Sequence, residues 1–152
     1  MQTKDTVIKH PSNTYKIASL VTLAIGAAGY LLGLYNAEIL LSEKGFYFAV
    51  FLLALFSAVS LQKTVRDLEE GIAVTGVFTT ICWASFAASI TLLVIGLINA
   101  QMLLSEKGFY AMSFLLSLFA VVTVQKNTRD LASELPEQVL HDNEIDNSLL
   151  SD

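Results

Sequence analysis

Hydrophobic residues fall into four long runs separated by short polar segments. The runs without any Lys, Arg, Asp, Glu or His cover residues 17–35, 46–61, 74–98 and 109–124. A helix needs about 20 residues to cross the hydrocarbon core of a bilayer. The first and third runs reach that length, whereas the second and fourth have 16 residues each, so flanking lysines must reach out to the headgroups. The pattern predicts an all-α protein with four transmembrane helices.

A soluble four-helix bundle is the alternative interpretation of the same runs. Its helices would carry a polar face with a period of 3.6 residues. Stretches such as 52–56 and 92–95 are apolar all round, and only 15% of the chain is charged against 54% hydrophobic. These values lie far from those of soluble domains, and we therefore favour the membrane.

The chain also repeats itself. The octapeptide at 40–47 recurs letter for letter at 103–110, and the match extends from 33–68 onto 96–131 with 23 identities in 36 positions. Each copy holds two apolar runs, so the protein is predicted to be a tandem two-helix repeat in which each unit buries a face against the other. Two spans per copy keep both copies in the same orientation, which predicts a pseudo-two-fold axis along the membrane normal.

The repeated stretches resemble the YiaA/YiaB family of small bacterial inner-membrane proteins. Segments 33–38, 42–47 and 62–67 carry the resemblance, together with their second-copy counterparts through Asp130. The resemblance implies an inner-membrane location and a two-helix domain present twice. It implies no catalytic residue and no cofactor.

Polar segments divide the chain into four parts. These are a cytoplasmic N-terminal arm (1–13), a first repeat (14–71), a second repeat (72–133) and a tail (134–152). We expect the first helix over 14–36, a connector over 36–45 with Ser42 as N-cap, a second helix ended by Gly71, and a third helix over 75–99. The tail holds six acidic residues and no Lys or Arg, which predicts a disordered extension.

The distribution of Lys and Arg predicts the orientation. The segment before the first apolar run (Lys4, Lys9 and Lys16), the middle loop and the C-terminal exit carry three, two and two Lys or Arg residues, whereas the two repeat connectors carry one each, Lys44 and Lys107. The positive-inside rule then places both termini and the middle loop in the cytoplasm and the connectors in the periplasm.

Two sets of repeated residues are candidates for helix packing and for binding. Small residues one turn apart let membrane helices approach closely, and this helix-packing set is Gly29, Gly33, Ala37, Gly96 and Ala100. A polar ring for an ion or solute is the second hypothesis, with Asn36, Glu38, Asn99 and Gln101 as its members. Capping of helix ends explains the ring residues equally simply, and we favour it because the carboxylate of Glu38 becomes an amide in Gln101.

The periplasmic turns and the cytoplasmic exits are repeated as well. The turns comprise Ser42, Glu43, Lys44 and Gly45 with Ser105, Glu106, Lys107 and Gly108. They suggest solvated turns with a close backbone approach at the glycines, or a contact between the two connectors. The basic residues of the exits, candidates for anionic lipid headgroups or a partner, are Lys63, Arg66, Lys126 and Arg129. Topological anchoring explains them as well, and we favour it.

Chemistry for catalysis is not recognisable in the sequence. The apolar runs hold no ionisable side chain of the kind that marks proton relays and ion paths, and both histidines lie in the chain ends. The lone cysteine, Cys82, lies in the third run without metal-ligand spacing. We expect no enzyme activity, no cofactor, no metal and no nucleic-acid binding.

The favoured function is therefore that of a non-enzymatic membrane protein that works through helix packing. Its expected partners are the lipid bilayer and either a second copy or another membrane protein. The alternative is a small homo-oligomeric transporter or channel for a neutral solute, with the polar ring at its mouth.

Overall fold

Four long helices make up the computed structural model, which describes residues 13–149 and the side chains of residues 13–128. They are α1 (Asn13–Asn36), α2 (Leu41–Glu69), α3 (Gly76–Asn99) and α4 (Leu104–Leu149). All four contain a stretch long and apolar enough to cross a membrane; in α4 this stretch is Leu104–Thr128. The predicted all-α fold with four membrane-spanning helices is confirmed.

The helix ends follow local capping chemistry. Gly71 has a φ of 73°, a left-handed conformation that glycine adopts without a steric cost. Its N–H donates to Leu68 O at 3.2 Å, and the N–H of Ile72 donates to Asp67 O at 2.8 Å. This pair of bonds is the Schellman motif, so the predicted end of α2 at Gly71 is confirmed.

Two boundaries differ from the sequence-based expectation. Helix α2 starts at Leu41 with Leu40 as its N-cap, so Ser42 is not the N-cap and the connector is shorter than expected. The backbone of α4 is helical through Leu149, where the sequence predicted a disordered tail. Six of the nine residues in 132–140 are Ala, Glu, Leu or Gln, which have high helix propensity, and the backbone stays helical through Pro136, which has the lowest.

The four helices pair across the repeat rather than within it. Helix α1 packs mainly on α4, and α3 packs mainly on α2, while α2 and α4 meet in the middle. The two helices of one repeat, α1 and α2, touch only slightly. Each copy therefore buries the first helix of the other against its own second helix.

Contacts between equivalent residues define the relation between the copies. Tyr47 and its counterpart Tyr110 stack with ring centroids 6.4 Å apart and an interplanar angle of 16°. One turn further along, Phe51 and its counterpart Phe114 also meet, with ring centroids 6.0 Å apart. Two successive equivalent pairs show that α2 and α4 run side by side in the same direction, so the pseudo-two-fold axis lies between them and along them. We call the end of the bundle with segments 37–40 and 100–103 the connector end, and the opposite end the loop end.

The interior is small and aromatic, and the exterior is apolar. Tyr30 and Phe114 have no exposed surface, and Phe51 is 2% exposed. Large apolar side chains such as Leu32, Phe56, Ile95 and Phe119 lie outward with half or more of their surface exposed. An apolar exterior around a packed core is what a lipid environment requires.

Candidate functional site

The repeated Glu-Lys pair at the connector end ties two helix ends together. The Glu43 carboxylate accepts from Leu40 N–H at 2.9 Å, and Lys44 Nζ donates to the Tyr35 carbonyl at 2.7 Å. The first N–H groups of a helix and its last carbonyls have no hydrogen-bond partner within the helix. The partial positive charge at the start favours a carboxylate, and the partial negative charge at the end favours an ammonium group. Glu43 therefore caps the start of α2, while Lys44 caps the end of α1.

The second connector has the same geometry. Glu106 accepts from Leu103 N–H at 2.8 Å, and Lys107 Nζ donates to the Ile98 carbonyl at 3.2 Å. We call these two arrangements the connector clamps. They explain why Glu and Lys are repeated as neighbours. In each connector the Glu caps the start of the second helix, and the Lys caps the end of the first.

The residues on either side of this pair lie in helix, not in a turn. Ser42 and Ser105 are in the first turns of α2 and α4. A Cβ added to Gly45 or Gly108 would meet nothing within 4 Å, so the close backbone approach expected there is absent. Nothing in the structure explains glycine at these two positions.

The close approaches occur at two other equivalent glycines. A Cβ on Gly33 would lie 2.8 Å from Phe109 Cε1, and one on Gly96 would lie 2.8 Å from Phe46 Cε1. The aromatic side chains on the second helix of each repeat thus pack against the first helix of the other repeat. This contact connects the repeated Gly33/Gly96 with the repeated Phe-Tyr pair, two features that the sequence showed separately.

The other residues of the helix-packing set have looser contacts, and a further glycine, Gly26, makes a close contact that the sequence did not predict. A Cβ on Gly29 would sit at ordinary distance, 3.6 Å from Ser113 Oγ, whereas one on Gly26 would be 2.7 Å from Ser117 Oγ and 3.1 Å from the Ser117 backbone nitrogen. Ala37 and Ala100 line shallow clefts at the connector end. The signal for Gly26 would have been its place one turn before Gly29 on the same helix face.

An aromatic cluster fills the centre near the connector end. Tyr30 stacks on Phe51 at 4.4 Å and meets Tyr110 edge-on at 5.6 Å. Its hydroxyl donates to the Tyr47 carbonyl at 3.1 Å, so a buried polar group is satisfied. The counterpart of Tyr30 in the second copy is Leu93, and the cluster is therefore one of the places where the core departs from two-fold symmetry.

Buried polar contacts join the copies nearer the loop end. Asn127 Nδ2 donates to Ser19 Oγ at 2.9 Å. The equivalent pair in the other interface is Thr64 and Cys82, whose Oγ1 and Sγ are 3.8 Å apart. Since Thr64 donates its hydroxyl proton to Ser60 O at 2.8 Å, the Cys82 thiol is the donor. Cys82 is buried and acts as a packing residue with one weak hydrogen bond.

The residues of the polar ring do not come together. Asn36 Nδ2 donates to Leu32 O at 2.9 Å, and Asn99 Nδ2 donates to Ile95 O at 2.8 Å. Each amide thus bonds a carbonyl in the last turn of its own helix. The two lie in separate clefts of about 300 and 270 Å³, while Glu38 and Gln101 are exposed on the connectors. The geometry is that of end capping.

The basic residues of the exits are distributed unequally. Lys63 and Lys126 are exposed, Arg66 Nε donates to Glu70 at 2.8 Å, and the side chain of Arg129 lies outside the described part. Arg66 and Lys126, from different repeats, line one groove. Among the residues whose side chains are described, no group of three or more His, Cys, Asp or Glu is placed to hold a metal ion.

Comparisons with known proteins agree with the internal repeat. The sequence profile of the yiaA/B two helix domain matches residues 15–67 and again 78–130. The chain is 52% identical to the inner membrane protein YiaA of Escherichia coli K12 over 88% of its own length and 92% of the relative's. It is 31% identical to the inner membrane protein YiaB of the same organism, over 70% of the chain and 90% of that protein. No solved structure matches.

Proposed function

Since the chain belongs to the YiaA/B two-helix-domain family, we propose that it is a non-enzymatic membrane protein that works through helix packing, as an oligomer or as an accessory to another membrane protein. Its four apolar helices and its inner-membrane relatives make it a multi-pass inner-membrane protein. The proposal concerns the function of the protein in that membrane.

The packed centre of the bundle is the observation that carries the proposal. Tyr30, Phe51 and Phe114 fill the space where α1, α2 and α4 meet, each at most 2% exposed. The buried hydroxyls of Tyr30, Ser57 and Ser89 are used in hydrogen bonds within the protein. A solid centre whose buried hydroxyls are satisfied supports a protein that acts through its outer surface; nearer the loop end, Asn127 Oδ1 is a buried atom without a hydrogen-bond partner among the described residues.

Photo-crosslinking from the outer faces tests the proposal. A benzoylphenylalanine replaces one outward residue on each helix, namely Leu32, Phe56, Ile95 or Phe119. Phe56 and Phe119 are equivalent residues, as are Leu32 and Ile95, so the probes report at two matched depths. We expect a discrete adduct with a second copy or with another membrane protein at one or more positions.

The buried residue Phe114 provides the control for that experiment. With no exposed surface, a probe there should react within the chain alone. Monomer at all four outer positions, with no co-purifying protein, would count against the proposal. Flux of a neutral solute through liposomes containing the purified protein would favour the transporter alternative, for which the separated Asn36 and Asn99 provide no support.

We also propose that both termini and the 70–75 loop are cytoplasmic and that the connectors are periplasmic. The support is the excess of Lys and Arg at the loop end, seven against two. Lys44 and Lys107 are unsuitable labelling positions because their side chains cap helices. Ser42→Cys and Ser105→Cys, in a Cys82→Ala background, replace exposed residues two positions before these lysines.

An impermeant maleimide added to intact spheroplasts should label both variants, whereas Ile72→Cys in the 70–75 loop should react only after lysis. Ile72 is 50% exposed, so access to the reagent depends on the side of the membrane. The reverse pattern would overturn the orientation.

A further inference from the structure

One groove at the loop end joins an apolar floor to a charged rim. Its volume is about 580 Å³, and its walls come from α2, α3 and α4. The floor is formed by Ala58 and Leu61 of α2, Phe86 of α3 and Val122 of α4. None of the four floor side chains has a hydrogen-bonding group, and all are buried or half-buried; the half-buried Gln62 lines the groove beside them. The floor therefore suits an alkyl chain. We call this feature the α2 groove.

The groove runs along the direction that a lipid takes. From Ala58 to Glu70 its α2 wall spans about 18 Å of helix, at 1.5 Å per residue. The apolar residues occupy the end towards the middle of the span, and the charged residues occupy the end at the loops. An occupant must therefore have a tail inside the bilayer and a polar head at its surface.

The rim carries both signs of charge. Arg66 and Glu69 lie on α2, Glu70 directly follows its end and accepts a hydrogen bond from Arg66 Nε at 2.8 Å, and Lys126 faces them from α4. Among the residues whose side chains are described, two cations and two carboxylates line the rim, and their charges cancel. A purely anionic headgroup would gain from Lys126 but would meet Glu69. A headgroup with a phosphate and an ammonium can place its phosphate beside Lys126 and its ammonium beside the carboxylates, with charge-assisted hydrogen bonds to both.

The second copy does not repeat this rim. The counterparts of Glu69 and Glu70 are Ala132 and Ser133, and the counterpart of the small floor residue Ala58 is Val121. Lys63, the counterpart of Lys126, does not line the groove. In the sequence, the pair of carboxylates therefore has no counterpart in the second copy, at a place where the repeat has diverged.

We propose that the α2 groove binds one zwitterionic glycerophospholipid with a primary amine in its headgroup, such as phosphatidylethanolamine. One acyl chain lies on Ala58, Leu61, Phe86 and Val122. The phosphate lies beside Lys126, and the ammonium group lies beside Glu69. Under the orientation proposed above the lipid belongs to the cytoplasmic leaflet, but the binding itself does not depend on that orientation.

Native mass spectrometry of the purified full-length protein tests this assignment. Phosphatidylethanolamine and phosphatidylglycerol with identical acyl chains are titrated separately, and the occupancy of the first bound lipid is measured. We expect higher occupancy by phosphatidylethanolamine. Lys126→Gln should lower its apparent affinity about fivefold, the usual effect of one basic residue at a membrane surface.

Lys63→Gln is the matched control, since it removes the same charge from the equivalent place in the other copy, outside the groove. It should leave the affinity unchanged. Glu69→Gln should shift the preference towards phosphatidylglycerol, because it removes the partner of the ammonium group. Unchanged unfolding temperatures would show that these exposed positions do not alter the fold.

A floor-filling variant tests the tail separately from the head. Val122→Trp should lower the occupancy by both lipids. Equal occupancy by the two lipids in the unmodified protein, or equal effects of Lys126→Gln and Lys63→Gln, would overturn the proposal, as would full occupancy in Val122→Trp. A preference of the unmodified protein for phosphatidylglycerol would overturn the zwitterionic assignment.

Discussion

The two copies of the repeat are more alike at one end of the bundle than at the other. At the connector end the copies make the same contacts, two connector clamps and two glycine–aromatic contacts, and the exception is Tyr30, whose counterpart is Leu93. At the loop end they differ. The Asn127–Ser19 contact of one interface corresponds to the Thr64–Cys82 contact of the other, and Glu69 and Glu70 correspond to Ala132 and Ser133. Residues stay alike where both copies must make the same reciprocal contact, and they diverge where one copy alone carries a feature.

Substitutions that add side-chain volume should destabilise the protein more at the connector end than at the loop end. Gly33→Leu and Gly96→Leu would each push a side chain into an aromatic ring that an added Cβ already approaches to 2.8 Å. We expect losses of about 1–3 kcal/mol from overpacking, nearly equal in the two variants because the contacts are equivalent. Thermal unfolding in a mild detergent measures the effect.

Gly45→Ala is the control for the glycine series. It adds a Cβ in open space on a helix, so it should have no destabilising effect, or stabilise by about 0.5–1 kcal/mol through the lower entropy of the unfolded chain. Equal effects of Gly45→Ala and of the two leucine variants would mean that the glycine–aromatic contacts do not hold the bundle together.

The Gly26–Ser117 contact tests whether the two interfaces are interchangeable. Their counterparts in the other interface are Ser89 and Ala54, both fully buried, so the larger residue is on the opposite partner. Gly26→Ser alone should destabilise by about 1–2 kcal/mol because Ser117 occupies the space. Adding Ser117→Ala should restore most of the loss. Additive losses in the double variant would contradict the equivalence of the interfaces.

The connector clamps should have a smaller effect that differs between the copies. Lys44→Met and Lys107→Met keep most of the side-chain bulk but remove the ammonium group from a helix C-terminus. We expect losses of about 1 kcal/mol or less, greater for Lys44, whose bond is 2.7 Å long against 3.2 Å for Lys107. Chemical denaturation of the two variants in parallel gives the comparison. A larger loss for Lys107→Met would be evidence against this ranking.

The loop end should show the smallest and least symmetric effects. Asn127→Leu removes a hydrogen bond between α1 and α4 and should cost about 0.6–1 kcal/mol, as is usual between membrane helices. Thr64→Val removes a 3.8 Å contact with a thiol across the interface and a bond to Ser60 O within α2, and it should cost less. Thr128→Val, which affects a bond within α4 alone, is the reference. The measurement is again the unfolding free energy, and a loss for Thr64→Val as large as that for Asn127→Leu would contradict the difference between the ends.

Much of the fold could be predicted from the apolar runs and the 63-residue repeat, but the crossed pairing could not. A span that is apolar all round has no polar face to mark its partner, so the sequence does not say whether α1 packs on α2 or on α4. Gly26 was overlooked for the same reason, since Ser117 lies on a helix 91 residues away. The role of Lys44 depends on a backbone carbonyl, which leaves no trace in side-chain chemistry.

Disulfide trapping in native membranes tests the crossed pairing most directly. A Cβ on Gly29 would lie 3.6 Å from Ser113 Oγ, and no described atom of α2 lies within 4 Å of it. In a Cys82→Ala background, Gly29→Cys with Ser113→Cys should form an intramolecular disulfide, since the separation suits that bond. Gly29→Cys with Val50→Cys, the equivalent position on α2, should keep both thiols free for a mass-tagged maleimide. Efficient bonding of Cys at 29 to Cys at 50, with free thiols in the 29–113 pair, would contradict the account.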